Sequence, residues 1–321
     1  MTLSYTLRLL CLLAVVTGVV TALVQFLLAC NARFVSRHLE TVAARSRERV
    51  LYVLQIAPLF VAVLVGGALF LPEYLLYEPT HGAEPVSWLS LVLAAGVGLW
   101  FGTAVLRGLR IALRTLRFTA ACRRCGRIVP QAGGPAPILA LTEPIHPVAL
   151  IGFLRPSILI SADLLEAGGL NSGCLRVALD HERSHALHHD NWKLLSLSFL
   201  PRLPADPWQR HWQRVADWAA DDDAVRGDPA RSLLLAEALV RTARLVQDSR
   251  VRVICTALTS TEAGLAARID RLLRPRQASR PTGTSLSLAL GGLVLVAVAA
   301  AVIATPWVYS LSESFLHLGG F

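Results

Sequence analysis

Charge is what this chain has least of. Only 17% of its 321 residues are Asp, Glu, Lys or Arg, whereas 54% are hydrophobic and the mean hydropathy is +0.52. Soluble domains carry roughly 25% charge and about 45–50% apolar residues, so an ordinary soluble globular chain is excluded. Methionine occurs only at Met1, and there are no internal repeats or low-complexity tracts, which excludes a repeat architecture. A second CxxC pair is also missing. Cys122-Arg-Arg-Cys125 stands alone, so a zinc ribbon is excluded; two thiols among arginines is the plain reading, with redox chemistry or lipidation as alternatives. The six cysteines (Cys11, Cys30, Cys122, Cys125, Cys174, Cys255) fall in apolar spans or on the side expected to face the cytoplasm, where structural disulfides are not expected.

Charge is wholly absent from four runs, 9–30, 51–71, 88–106 and 285–307. Each is close to the ~20 residues that cross a ~30 Å hydrocarbon core as a helix, so four transmembrane helices are expected. The first run ends Leu27-Leu28-Ala29-Cys30, faintly like a lipoprotein cleavage box. It exceeds the ~7–15 residue core of a signal peptide, however, and an uncleaved span is the reading taken.

Arginine is distributed unevenly between the flanks. Residues 31–50 hold five arginines (Arg33, Arg37, Arg45, Arg47, Arg49) against Glu40 and Glu48, and 107–127 hold seven with no acid. Four more occur in 271–280, whereas 73–87 have three glutamates and no Lys or Arg. Basic residues near span ends stay cytoplasmic. Both termini are therefore expected outside, with the loop 31–50 and the long segment 107–284 inside. Much of the net charge of +9 thus lies beside spans, where anionic lipid attracts it, so the lipid bilayer is the expected partner and nucleic acid is not. Only 308–321 follow the last span, as a short extracytoplasmic tail.

Within 107–284 the composition becomes ordinary. A basic helix leads into 126–137, rich in Gly and Pro and read as a linker. Three short apolar runs (137–143, 147–153 and 157–161), punctuated by Pro144, Pro147, Gly152 and Pro156, predict a small antiparallel sheet. An extended edge there could hold a substrate peptide by strand addition or serve packing alone. Asn171 or Ser172 is placed to cap a long helix running to Asp190 or beyond, and further helices are predicted over 207–226, 231–246 and 261–273.

The long helix carries Ala178-Leu-Asp-His-Glu-Arg-Ser-His-Ala-Leu-His-His-Asp-Asn-Trp192. His181 and His185 lie one turn apart on one face, a spacing that lets both imidazoles reach one tetrahedral Zn2+. Glu182, rotated about 100° from His181, is placed to take a proton from a metal-bound water as that water attacks a peptide carbonyl. His188 lies about 10 Å along the axis from His181, too far to share the ion, and His188 and His189 are read as surface groups. The metzincin pattern needs Gly and a ligand where His188 and Asn191 stand, so the third ligand must come from another element. Asp217 is the candidate, with Asp221 on the same helical face accepting a hydrogen bond from a ligand histidine. Asp190 is expected to orient the site through hydrogen bonds, while Asp222 and Asp223 read as a solvated acidic face.

These features resemble the BlaR/MecR-type membrane-embedded zinc peptidases, beta-lactam sensor/signal transducers of bacteria. Three spans precede the candidate peptidase segment and one follows. The run 148–161 (Val-Ala-Leu-Ile-Gly-Phe-Leu-Arg-Pro-Ser-Ile-Leu-Ile-Ser) looks like the family's glycine, Arg-Pro and apolar-strand signature. His181-Glu-Arg-Ser-His185 with Asp190 matches its HExxH and following Asp, and Asp217-Trp-Ala-Ala-Asp221 lines up with its Glu-x-x-x-Asp. The resemblance implies a multi-pass α-helical protein of the bacterial inner membrane with a mainly helical α+β, zincin-like cytoplasmic peptidase domain. It further implies Zn2+ as cofactor, and cleavage of the chain itself or of a winged-helix transcriptional repressor. Two departures stand out: aspartate replaces the family's glutamate at Asp217, and no segment here is long enough to be the family's extracellular penicillin-binding domain, so beta-lactam sensing is not expected. A quality-control protease like HtpX and a non-catalytic sensor or scaffold are the competing readings.

Overall fold

A computed structural model describes residues 5–77, 88–129, 136–142, 147–162, 164, 172–204, 208–245, 255–257 and 262–274. The expected fourth span, 285–307, the tail 308–321 and the candidate cap Asn171 lie outside the described residues. The described part is mostly helical, with one small mixed sheet.

The first three apolar runs become helices: α1 (Tyr5–Cys30), α3 (Ala44–Leu64) and α5 (Trp88–Cys125). Helix α3 continues through a π-helical turn at Val65–Phe70 into α4 (Leu71–Tyr77). Three helices are thus long and apolar enough to cross a membrane, Tyr5–Cys30, Ala44–Leu76 and Trp88–Cys125. The second and third overrun their apolar runs into the adjoining basic flanks, whereas the first stops at Cys30, where its basic flank begins. The expected loop 31–50 instead holds α2 (Ala32–Leu39) and the first turns of α3, so Arg45, Arg47 and Glu48 stand on a helix. Helix α5, 38 residues long, spans about 57 Å at 1.5 Å per residue. That is nearly twice a hydrocarbon core, so its arginine-rich half projects beyond the apolar layer. Gly108 marks where α5 meets the second lobe: a Cβ there would stand 2.5 Å from the Phe199 ring. Arg107 beside it donates to the carbonyls of Ser198 and Leu200.

The sheet runs β1 (Arg127–Val129), β2 (Ile138–Leu141), β4 (Ser157–Ser161), β3 (Val148–Ile151), β5 (Cys255–Ala257) in spatial order. It is mixed rather than antiparallel throughout, because β2 runs parallel to β4, Ile138 beside Ile158 and Leu141 beside Ser161. The β3–β4 hairpin fixes that outcome. It closes through Gly152, at φ +77 with Thr119 and the Arg155 carbonyl 3.1–3.3 Å from any Cβ, and it leaves only the far edge of β4 for β2. Burial makes such an arrangement tolerable, since parallel strands need both faces covered. Ile138, Val148, Leu150, Ile158 and Ile160 pack toward the histidine helix, and Leu139, Ile151 and Leu159 pack toward Cys122 and Phe118 of α5. Two expectations are corrected here. The linker 126–137 contributes strand β1, and the sheet is mixed, with β5 pairing antiparallel to β3.

The remaining helices are α6 (Ser172–Leu187), α7 (Asp190–Ser198), α8 (Trp208–Val225), α9 (Pro229–Leu245) and α10 (Glu262–Leu273). The long helix expected to pass Asp190 is broken. His189 adopts φ 54, ψ 37, the left-handed conformation that His tolerates better than most residues. The chain turns there and α7 starts afresh at Asp190. Helix α8 lies between α6 and the start of α3, with Trp212, Val215 and Ala216 in a core shared with Leu51 and Leu54.

Candidate metal centre

The site is built on the face of α6 that looks toward α8. His181, Glu182 and His185 are each 0% exposed, which a solvated polar face would not be. The ligand-type atoms of His181, His185 and Asp217 lie within 4.8 Å of one another. His181 Nε2 and His185 Nε2 are 3.2 Å apart, and Asp217 Oδ1 is 3.8 Å from His185 Nε2. One helical turn thus brings the two imidazoles together, and α8 brings the carboxylate across.

Each imidazole is turned by a carboxylate behind it. His185 Nδ1 lies 2.7 Å from Asp190 Oδ2, and His181 Nδ1 lies 3.0 Å from Asp221 Oδ1. An ionised carboxylate only accepts, so Nδ1 of His185 carries a hydrogen and its Nε2 faces the Nε2 of His181, whose own Nδ1 lies near Asp221 without hydrogen-bond geometry. Lone pairs 3.2 Å apart repel unless a proton or a metal cation lies between them. Two ligands at ~2.0–2.1 Å on a tetrahedral zinc stand about 3.3 Å apart, so the two imidazoles fit that ion, while Asp217, 3.8 Å from His185 Nε2, would have to close in.

The surrounding charges favour the same assignment. Burial pushes the His181 pKa down to about 3, despite the pull of Asp221, so this ring is neutral and available as a ligand. Burial also acts to lower His185, but the hydrogen bond and charge of Asp190, with Glu182 and Asp217, outweigh it and hold its pKa above the ordinary value. Asp190 resists its own burial through His185 and Lys193 and stays ionised down to about 2. Burial raises Asp217 by disfavouring its charged form, a cost that a bound cation would offset. A raised His185 pKa favours a proton between the two rings when no metal is bound, and a metal taking that place would release it.

Glu182 is anchored through one oxygen only. The amide of Leu150 in β3 donates to Oε2 at 2.8 Å, while Oε1 is buried with no hydrogen-bond partner. Burial raises its pKa to about 7, in the range where a carboxylate serves as a base at neutral pH.

The structure supplies residues that the sequence did not mark. Arg268 of α10, 1% exposed, grips Asp221 with Nη2 at 2.6 Å and Nε at 3.0 Å, and Nη2 stands 3.4 Å from His181 Nε2. Its one sequence signal is a charge on the apolar stripe Leu265, Ile269, Leu272. Lys193, the only lysine in the chain, donates to Asp190 Oδ1 and to Glu48 Oε1, at 2.9 Å each. Glu48, 0% exposed on α3, also accepts from Trp212 Nε1 at 2.9 Å. Asn191 donates to the carbonyls of Leu150 and Gly152 and so pins α7 to β3.

Of the groups read as solvated, Asp223 pairs with Arg45 of α3 at 2.6 Å and accepts from Ser184 at 2.7 Å, while Asp222 pairs with Arg271 at 2.6 Å. They are ion-paired struts rather than a free acidic face. His188 stands 3.3 Å from Asp223 Oδ2 and His189 is exposed; neither points into the cluster. Cys125 is exposed and Cys122 is buried against the sheet. The chain matches no protein-family model and no curated protein.

Proposed function

We propose that this chain is a membrane-embedded zinc endopeptidase, with Zn2+ held by His181, His185 and Asp217 and with Glu182 as the base. The observation that carries this reading is the pair of fully buried imidazole nitrogens 3.2 Å apart, each ring backed by a carboxylate and with Asp217 alongside. Zn2+ bound there would lower the pKa of a water and polarise a carbonyl.

The chain's own groups would do the rest. Glu182 takes the proton of the attacking water on Oε1, the oxygen without a partner, and passes it to the leaving amine. The Leu150 amide on Oε2 keeps the carboxylate aimed while it does so. Asp190 and Asp221 hold the two imidazoles in the ligating tautomer, and Arg268 holds Asp221.

The substrate is a peptide segment on the cytoplasmic side, of the chain itself or of a second protein. The BlaR/MecR-like motifs favour regulated cleavage of a winged-helix repressor over quality control. Glu182→Gln in the purified full chain should keep its zinc and lose peptide hydrolysis by about 10²–10⁴-fold, the usual worth of a general base. His185→Ala should lose both. Wild-type hydrolysis rates from Glu182→Gln would overturn the assignment.

A further inference from the structure

A cavity of about 520 Å³ opens between α2 and the first half of α8, and its charge is of one sign. Arg33 and Arg37 line it from α2, and Arg210 and Arg214 line it from α8, with Trp208 and His211 in its wall. Each helix contributes two arginines one turn apart on one face, so two like-charged pairs confront each other across the opening. Like charges at that spacing destabilise a helix, and both helices bear the strain.

Several arginines elsewhere in this fold are paired with carboxylates. Arg45 has Asp223, Arg231 has Asp180, Arg268 has Asp221 and Arg271 has Asp222. Among the described residues, Arg33, Arg37, Arg210 and Arg214 have no carboxylate within ion-pair distance, and no Asp or Glu lines the cavity. The local field is felt by His211, whose pKa is lowered by burial first and then by Arg47 and Arg214, with Glu40 at the end of α2 pulling the other way.

Location narrows the ligand. Helix α2 begins at Ala32, directly after the apolar α1 ends at Cys30, which puts the cavity at the level of lipid headgroups if α1 spans the bilayer. Trp208, 6% exposed, supplies an apolar wall, and tryptophan favours that boundary. Arginine's planar fork suits phosphate oxygens better than a point charge does.

We propose that this cavity is a binding site for a phosphate-bearing anion, the headgroup of an anionic phospholipid or free phosphate. Neither the metal centre nor catalysis enters into it, so the two readings fail separately.

Thermal unfolding of the full chain in neutral detergent tests it, with titration of short-chain phosphatidylglycerol, short-chain phosphatidylcholine or inorganic phosphate. Phosphatidylglycerol should raise the Tm and phosphatidylcholine should not. Arg210→Ala/Arg214→Ala should weaken the response by roughly thirtyfold, about fivefold per arginine. Arg110→Ala/Arg114→Ala, which removes the same charge from the exposed side of α5, should leave it unchanged. Arg210→Lys/Arg214→Lys guards against a folding defect and should retain part of the response. If phosphate alone reproduces the shift, the site stands with free phosphate as its ligand. Equal losses from the α8 and α5 pairs, or no response to any anion, would overturn the proposal.

Discussion

At the residue scale the central feature is a division of labour among carboxylates. Asp190 and Asp221 are held ionised well below the ordinary range by their cationic partners, whereas burial raises Glu182 and Asp217. The first two orient and the second two remain for a metal and a proton. Asp217 is one methylene shorter than glutamate, yet α8 packs closely enough on α6 to bring its Oδ1 within 3.8 Å of His185 Nε2. Asp217→Ala should therefore abolish stoichiometric zinc binding, measured by metal analysis after dialysis. Asp217→Glu should retain it if α8 can yield by about one methylene. A zinc content unchanged in Asp217→Ala would move the third ligand elsewhere.

His185 also sets a pH dependence. Its folded pKa is raised, so below that value the metal-free site holds a proton that zinc must displace. Zinc affinity should accordingly fall as the pH is lowered through the raised value. Calorimetry in two buffers of different ionisation enthalpy should show proton release on binding, and uptake or no change would contradict the bridging proton.

At the scale of elements, the metal centre is tied to a helix long enough to cross the membrane. From α3, Glu48 bonds Lys193, Lys193 bonds Asp190 and Asp190 bonds His185. Arg45, one turn before Glu48, reaches Ser184 and Asp223 on the same two site helices. A shift of α3 would thus act on the orientation of a ligand imidazole. Groups that orient a metal ligand are worth about 10–100-fold in metal affinity or activity, so Lys193→Met should weaken zinc binding in that range. Added to an Asp190→Asn background, it should cost nothing beyond the loss from Asp190→Asn itself. Additive losses would mean that Lys193 acts by another route.

How much of this was legible varies with distance along the chain. The pair His181 and His185, the base between them and the carboxylates at 217 and 221 follow from helical periodicity, which is local. The break at His189 is not, because no glycine or proline announces it; a left-handed histidine supplies the turn. That break is what lets Asp190, five residues on, fold back onto His185. Arg268 lies 87 positions from the histidine it approaches, and Lys193 lies 145 from Glu48. Only packing brings those together. Strand β1 was hidden in a Gly- and Pro-rich stretch, and β5 is too short for a periodic pattern.

At the scale of the whole molecule, three apolar helices and a helical lobe carrying a small mixed sheet share one structure. Composition made the three helices long and apolar enough to cross a membrane legible, since each contains a charge-free run of about that length. The true lengths of α3 and α5 were not legible, because helix continues past the apolar stretch into the arginine-rich flank. The consequence is functional: the extensions of α3 and α5 grip the lobe through Arg45, Glu48 and Arg107, so the candidate centre is braced against the spans rather than tethered to them. Everything proposed for the chemistry depends on a metal in that braced cluster. The direct measurement is the zinc content of the purified full chain, determined beside Glu182→Gln and His185→Ala under one protocol. About one zinc per chain is expected in wild type and in Glu182→Gln, with none in His185→Ala. A folded wild-type chain that takes up no zinc, or a His185→Ala chain that holds as much as wild type, would contradict a His181–His185–Asp217 metal centre.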